Sequence, residues 1–336
     1  MGLWSQYRLR IERKRRRVRA LRKRRELTPV ADRTGQIRRG DILCFSTLRN
    51  ERARLAWFLS YYRDLGVDHF FFVDNDSTDG SREYLASQPD ASVWTTSASY
   101  KRSKFGVDWL NGLKMKYAND HWVLVVDVDE LLVYPFCDTR NLHALTDWLD
   151  ASAVKSFGTM LLDLYPKGKI QHARCRDGRD PVKTAPYFDA SNYFIERNAK
   201  YGNLWIQGGP RMRAFFRDKP QFAPALNKTP LVKWSRGYCY VSSTHTLLPR
   251  GLNLVYDEWG GQKPCGILLH TKFMNTFAEK AEEESQRKQH YAASREYRTY
   301  LKSLEGDLNL HTPHSVKYES WRQLEDIGLL SRGNWV

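Results

Sequence analysis

With 336 residues, 41% of them hydrophobic and 13% aromatic, the chain can bury a full α/β core, which excludes a disordered or fibrous protein. Its formal charge of +16 is unevenly spread: residues 1–40 hold 15 Lys or Arg against three acids, leaving 39 cations against 35 acids in the other 296. Five cysteines (Cys44, Cys137, Cys175, Cys239, Cys265) without a Cys-x-x-Cys pair speak against a zinc or disulfide framework and for a reduced compartment, and no stretch reaches the roughly 18 apolar residues of a membrane span or forms the apolar core of a secretory signal.

Residues 1–40 read as a basic arm and linker. Trp4, Tyr7, Ile11, Val18 and Leu21 recur at three- and four-residue spacings with Lys14 in the missing place, so a helix here carries a thin apolar stripe on a cationic rod. Twelve cations between Arg8 and Arg25 suit an anionic membrane surface, reached through residues 1–28. Clustered Lys and Arg would also suit nucleic acid or a solvated tail; the stripe ranks the membrane first and nucleic acid last. Pro29 and Gly35 mark the passage into the body. The expected location is cytoplasmic, peripheral on the inner face of the membrane.

The body, residues 41–275, opens with Asp41–Thr47 as a buried strand and Leu48-Arg49-Asn50-Glu51 as its exit loop. A helix follows through Ala53, Leu55, Trp57, Phe58, Tyr61, Tyr62 and Leu65, closed by Gly66. His69–Val73 is the second strand, and its exit, Asp74-Asn75-Asp76-Ser77-Thr78-Asp79-Gly80, is a turn-rich loop able to cap the next helix. A short strand at Ser92–Thr95 and a helix from about Lys104 to Tyr117 lead to the apolar run 122–126. This alternation predicts an α/β fold with a mostly parallel sheet flanked by helices and three exit loops, at Glu51, Asp74 and Asp127, along one edge. Beyond the body, residues 276–336 read as a helical extension that includes a charged helix with Glu279, Lys280, Glu282, Glu283, Glu284, Arg287 and Lys288.

Trp122-Val123-Leu124-Val125-Val126 runs straight into Asp127-Val128-Asp129-Glu130. Ligands of open α/β sheets bind beyond the carboxyl ends of such strands. If the extended geometry persists, Asp127 and Asp129 share a face, and two carboxylates there call for a hard cation, Mg²⁺ or Mn²⁺, that also holds diphosphate oxygens. Taken alone, the pair reads first as turn acids exposed to water, and its context has to favour the metal.

The ordered loops Phe45–Glu51, Val73–Gly80, Gly106 with Asn111-Gly112, and Asp127–Glu130 resemble a family 2 type glycosyltransferase of the GT-A (Rossmann-like) fold, in a bacterial subgroup with Asp-Val-Asp-Glu at the metal site. The likeness covers roughly residues 41–135 and continues more loosely through Gly208–Arg211, Leu226–Trp234 and Leu268–Phe273. It implies metal-dependent transfer of a sugar from a nucleoside diphosphate sugar to a glycan, lipid or other cell-envelope acceptor, with inversion. It also implies that Glu51 and Asp74, with Asn75, lie at the donor nucleoside, that Asp127 approaches the ribose or the metal, and that Asp129 ligates the metal.

Arg102 and Lys104 are candidate supplements to the metal, or plain loop cations. His270 is a candidate third ligand; with Lys272 two residues on, a strand would place a diphosphate cation on the same face. His245, after another short β-like run, is the second histidine of this kind. The family's usual Glu-Asp pair for the catalytic base is missing, and Asp163, Asp189 and Glu196 are the acidic candidates left. A haloacid dehalogenase type phosphatase wants Thr or Val where Leu131 stands, and a nucleic-acid binder leaves the acidic loops unexplained. A catalytically inactive sugar-nucleotide or glycan binder is kept by the missing base.

Overall fold

The computed structural model describes residues 2–256, 262–277, 280–281 and 308–336. Its apolar runs form one nine-stranded sheet. The strands are β1 (Thr28–Ala31), β2 (Ile42–Leu48), β3 (His69–Asp74), β4 (Ala91–Thr95), β5 (Trp122–Val125), β6 (Glu130–Val133), β7 (Ser156–Asp163), β8 (Asn227–Lys233) and β9 (Cys265–His270). Their spatial order is β1-β4-β3-β2-β5-β8-β7-β9-β6. β1, β8 and β6 oppose their neighbours, while β2, β3, β4, β5, β7 and β9 run one way, so the sheet is mostly parallel and Rossmann-like.

Alternation along β2 explains why it is apolar throughout. Ile42 and Cys44 join a core shared with α2 (Arg52–Asp64) and α5 (Leu142–Ala151), whereas Leu43 and Phe45 join another beneath α4 (Val107–Tyr117). Helices cover both faces, and the exits of the parallel strands gather at one edge. Gly66 ends α2 in the left-handed region, φ +94°, as the sequence predicts.

The basic arm folds differently from a free tail. α1 (Leu3–Lys23) lies against α4 so closely that a Cβ on Gly112 would stand 2.8 Å from the Ala20 carbonyl oxygen. Arg19 pairs with Asp108 at 2.6 Å, Trp109 donates to Glu26 at 2.9 Å, and Glu12 takes Lys200 and the Tyr201 hydroxyl at 2.9 Å each. Leu9 packs with Cys239, Val241 and Leu248. The expected linker supplies an edge strand, β1, where Pro29 is tolerated.

At the other end Trp321 and Leu324, in α7 (Trp321–Asp326), which follows α3 (Ser81–Ala86) and α6 (Gly209–Phe215) in chain order, pack with Leu330 and Trp335 into the main core. Most of the charged helix expected after Phe277 lies outside the described residues; Lys280 lies within them. All five cysteines are free thiols. Among the described residues no helix is long and apolar enough to cross a membrane.

Candidate active site

β5 stops at Val125, and Asp127-Val128-Asp129 forms a turn into β6, closed by the Glu130 N–H donating to the Asp127 carbonyl at 3.0 Å. The extended geometry that would put Asp127 and Asp129 on one face therefore does not persist. The two carboxylates meet different partners.

On one flank, Asp129 Oδ2 lies 3.3 Å from His270 Nε2 at the end of β9. His270 Nδ1 lies 2.6 Å from Oδ1 of Asp163 at the end of β7, and Asp163 Oδ2 takes Arg211 Nε of α6 at 2.7 Å. Register enforces this alignment: His270 stands beside Asp163 in the parallel ladder and opposite Glu130 in the antiparallel one. Thr271 holds the turn, donating its N–H and hydroxyl to the Asp129 carbonyl at 2.8 and 3.1 Å, and Arg54 donates to the Thr271 hydroxyl at 3.0 Å.

On the other flank, Lys228 of β8 pairs with the buried Glu130 at 2.8 Å and stands 3.9 Å from Asp127. The Asp127 N–H donates to Glu130 Oε2 at 3.1 Å. A small cavity, lined by Thr47, Tyr100, Lys114, Tyr240 and Thr244 among others, opens beside Asp127. In its wall the Lys114 ammonium sits over the Trp234 and Tyr240 rings at 4.4 and 4.1 Å.

Charge separates the flanks. Burial pushes His270 down, but Asp129 and Asp163 outweigh it and raise its pKa. Burial likewise works against ionised Asp129 and Asp163, yet His270 holds the first well below the usual carboxylate range, and Arg211 with His270 holds the second down to about 2. Asp127 goes the other way: enclosure by protein, then the charges of Glu130 and Asp129, push it up to about 7, although its side chain is 56% exposed and water screens part of that push. Lys228 is lowered by burial, and the opposing charges of Glu130 and Asp127 leave it raised.

The other residues expected at the site lie around this edge in varied states. Asp74 is buried; Oδ2 accepts from the Ser77 N–H at 3.2 Å and the Thr95 hydroxyl at 3.4 Å, while Oδ1 has no hydrogen-bond partner among the described residues. Asn75 braces its loop by donating to the Thr96 and Ala98 carbonyls. Glu51 is ion-paired with Lys280 and, at 3.4 Å, with Arg54, and its buried Oε2 makes no hydrogen bond among the described residues. Arg102 and Lys104 are exposed on the loop before α4, where the Arg102 carbonyl accepts from Arg19. β9 ends at His270, so Lys272 is not carried on by the strand; its ammonium lies 5.7 Å from the centre of the Phe277 ring.

The three acids considered for the base stand in different surroundings. Asp163 is engaged on both oxygens. Asp189 is clamped by Arg213 at 2.7 and 3.0 Å and takes the Tyr165 hydroxyl. Glu196 lies exposed on a two-stranded hairpin outside the main sheet. His245 is held by its Nδ1 at 2.6 Å from the Asn227 carbonyl, and burial first, then Lys228 and Arg211, push it down to about 3.

Sequence reasoning does not single out Glu130, Lys228, Arg211 or Thr271 as parts of this edge. Glu130 stands within the Asp-Val-Asp-Glu motif, and a basic residue on an otherwise apolar strand is the available signal for Lys228.

A divalent cation has hard oxygen and imidazole donors available in Asp129 and His270, and Asp163 accepts from the other ring nitrogen as metal-bound histidines require. Among the described residues no three His, Cys, Asp or Glu side chains form a complete metal-binding group. The residues therefore fit a cation that draws its remaining ligands from a substrate's oxygens, not one held in a protein cage.

No protein-family model matches this chain, and no curated protein does. One solved structure, named for a glucose-1-phosphate thymidylyltransferase from Bacillus anthracis in complex with a sucrose, aligns over 85% of this chain and 93% of its own at 10% identity, with a TM-score of 0.29. At that TM-score the overlap is too loose to carry an argument about chemistry.

Proposed function

We propose that the chain is a metal-dependent glycosyltransferase that moves a sugar from a nucleoside diphosphate donor to a glycan, lipid or other envelope acceptor. The observation that carries this reading is the line Asp129–His270–Asp163 at the shared exit of β5, β7 and β9. Asp163 keeps the Nδ1 proton of His270 in place, so that His270 yields its Nε2 proton on ligation and faces a cation with a lone pair. Mg²⁺ or Mn²⁺ bound there would neutralise charge developing on the leaving diphosphate. Asp74 Oδ1, buried with no hydrogen-bond partner among the described residues, supplies an acceptor for a base N–H. Inversion at the anomeric carbon is carried by the family resemblance.

The test is thermal denaturation with a panel of nucleoside diphosphates, with and without Mn²⁺. Metal-dependent stabilisation by at least one of them is expected; none from any overturns the reading. A second reading, a sugar-nucleotide binder without transfer, is favoured by one observation: Asp163 and Asp189 are fully paired and Glu196 lies off the sheet. Slow metal-dependent hydrolysis of a donor sugar nucleotide distinguishes an active centre from that binder.

A further inference from the structure

α1 has two faces of opposite character. Leu9 and Ala20, eleven residues or about three turns apart, turn inward against the body. On that side Glu12, Arg16, Arg19 and Lys23 are tied into ion pairs. The opposite face carries the apolar stripe, which the described residues leave exposed. Leu3, Trp4 and Tyr7 are 85%, 74% and 53% exposed, Trp4 and Tyr7 meet edge to face at 5.8 Å, and Val18 and Leu21 continue the row exposed. Flanking it, Arg8, Arg10, Lys14, Arg15 and Arg22 are exposed and have no ion pair among the described residues.

We infer that α1 is an interfacial helix that seats the protein on an anionic lipid surface, with Leu3, Trp4 and Tyr7 entering the headgroup region and the flanking cations meeting lipid phosphates and carboxylates. Charge complementarity alone would admit nucleic acid. An outward row of Leu, Trp, Tyr, Val and Leu does not serve a phosphate backbone, because backbone neutralisation uses only the cations, whereas an interfacial helix needs both an apolar face and a basic rim. Aromatic side chains at the end of such a face suit the boundary between water and hydrocarbon. Docking through Asp108 in the first turn of α4 fixes this surface to the helix that walls the cavity beside Asp127. The attachment is therefore rigid, not a tether.

Sedimentation of the full-length chain with vesicles of equal parts phosphatidylcholine and phosphatidylserine tests this, with pure phosphatidylcholine vesicles and duplex DNA as the other arms. Binding to the mixed vesicles is expected, weakened steeply by salt. Leu3→Ser, Trp4→Ser and Tyr7→Ser together keep every charge and remove only exposed groups, so the melting temperature should hold while vesicle affinity falls roughly tenfold or more. Trp4→Phe should remove the part of the tryptophan fluorescence that brominated lipid quenches. Triple-variant affinity equal to wild type, tighter binding to duplex DNA than to mixed vesicles, or no binding to mixed vesicles each overturns the inference. None of these readouts depends on the nucleotide site.

Discussion

His270 and His245 make the most instructive pair in the molecule, because in sequence each follows a short β-like run and they look alike. In the fold they are opposites. His270 lies between two carboxylates that favour its charged form, while His245 faces a carbonyl with Lys228 and Arg211 nearby, so its charged form is disfavoured. The difference comes from what neighbouring strands deliver: β7 brings Asp163 to His270, and β8 brings Asn227 and Lys228 to His245. A histidine's local sequence does not set its chemistry; the strand beside it does.

The strongest way to break this contrast is Asp163→Ala. It would leave Arg211 and His270 buried without the carboxylate that joins them, and removing one partner of a buried charged set costs about 3 to 5 kcal/mol. Urea denaturation at neutral pH reads it directly. A midpoint equal to wild type would show that His270 does not depend on Asp163.

Asp129→Asn tests the other side of His270. The fold should survive, since Asp129 is only partly buried and its turn is held through its carbonyl by Thr271. Lost should be the Mn²⁺-dependent stabilisation by a nucleoside diphosphate, which at a free concentration a hundred times Kd amounts to about 2.7 kcal/mol in the parent chain. Stabilisation of undiminished size would take Asp129 out of the metal site. Nearer His245, Lys228→Met should cost about 1 to 3 kcal/mol by leaving Glu130 buried without its partner. An unchanged urea midpoint would mean that Glu130 is held some other way.

Much of the sheet is legible in the sequence. The runs at 42–48, 69–74 and 122–125 form parallel strands because a strand covered on both faces must be apolar at every position. The Asp127–Asp129 geometry is not legible, since period-2 reasoning assumes that the strand continues and here it turns. Arg211, Lys228 and Asp163 reach the edge from strands and a helix far along the chain, which no local pattern reports. α1 shows the same limit in reverse. Its periodicity reveals the apolar stripe, which faces outward, and hides the docking face, where Leu9 and Ala20 sit among Arg and Glu whose partners include Asp108 of α4, Lys200, Tyr201 and the Val241 carbonyl, all far along the chain. Deleting residues 1–28 would therefore strip a packed helix from α4 instead of trimming a free tail.

The subtlest test of the contrast is pH. His245 has a pKa pushed down to about 3 in the fold, against 6.5 for the ordinary side chain, so between those values the unfolded chain binds the extra proton and the folded one does not. Stability from this site is whole above about pH 6.5 and is lost as pH falls toward 3; His270, raised by its carboxylates, contributes with the opposite sign. From pH 7 to pH 5 the His245 share should come to about 1 to 2 kcal/mol, the lower figure allowing for its partial exposure. His245→Gln keeps a donor for the Asn227 carbonyl and cannot take a charge in this range, so its urea midpoint should fall less than that of wild type over the same interval. Parallel pH profiles for the two chains would show that His245 is no more averse to a proton than an exposed histidine, and the contrast with His270 would lose one of its sides.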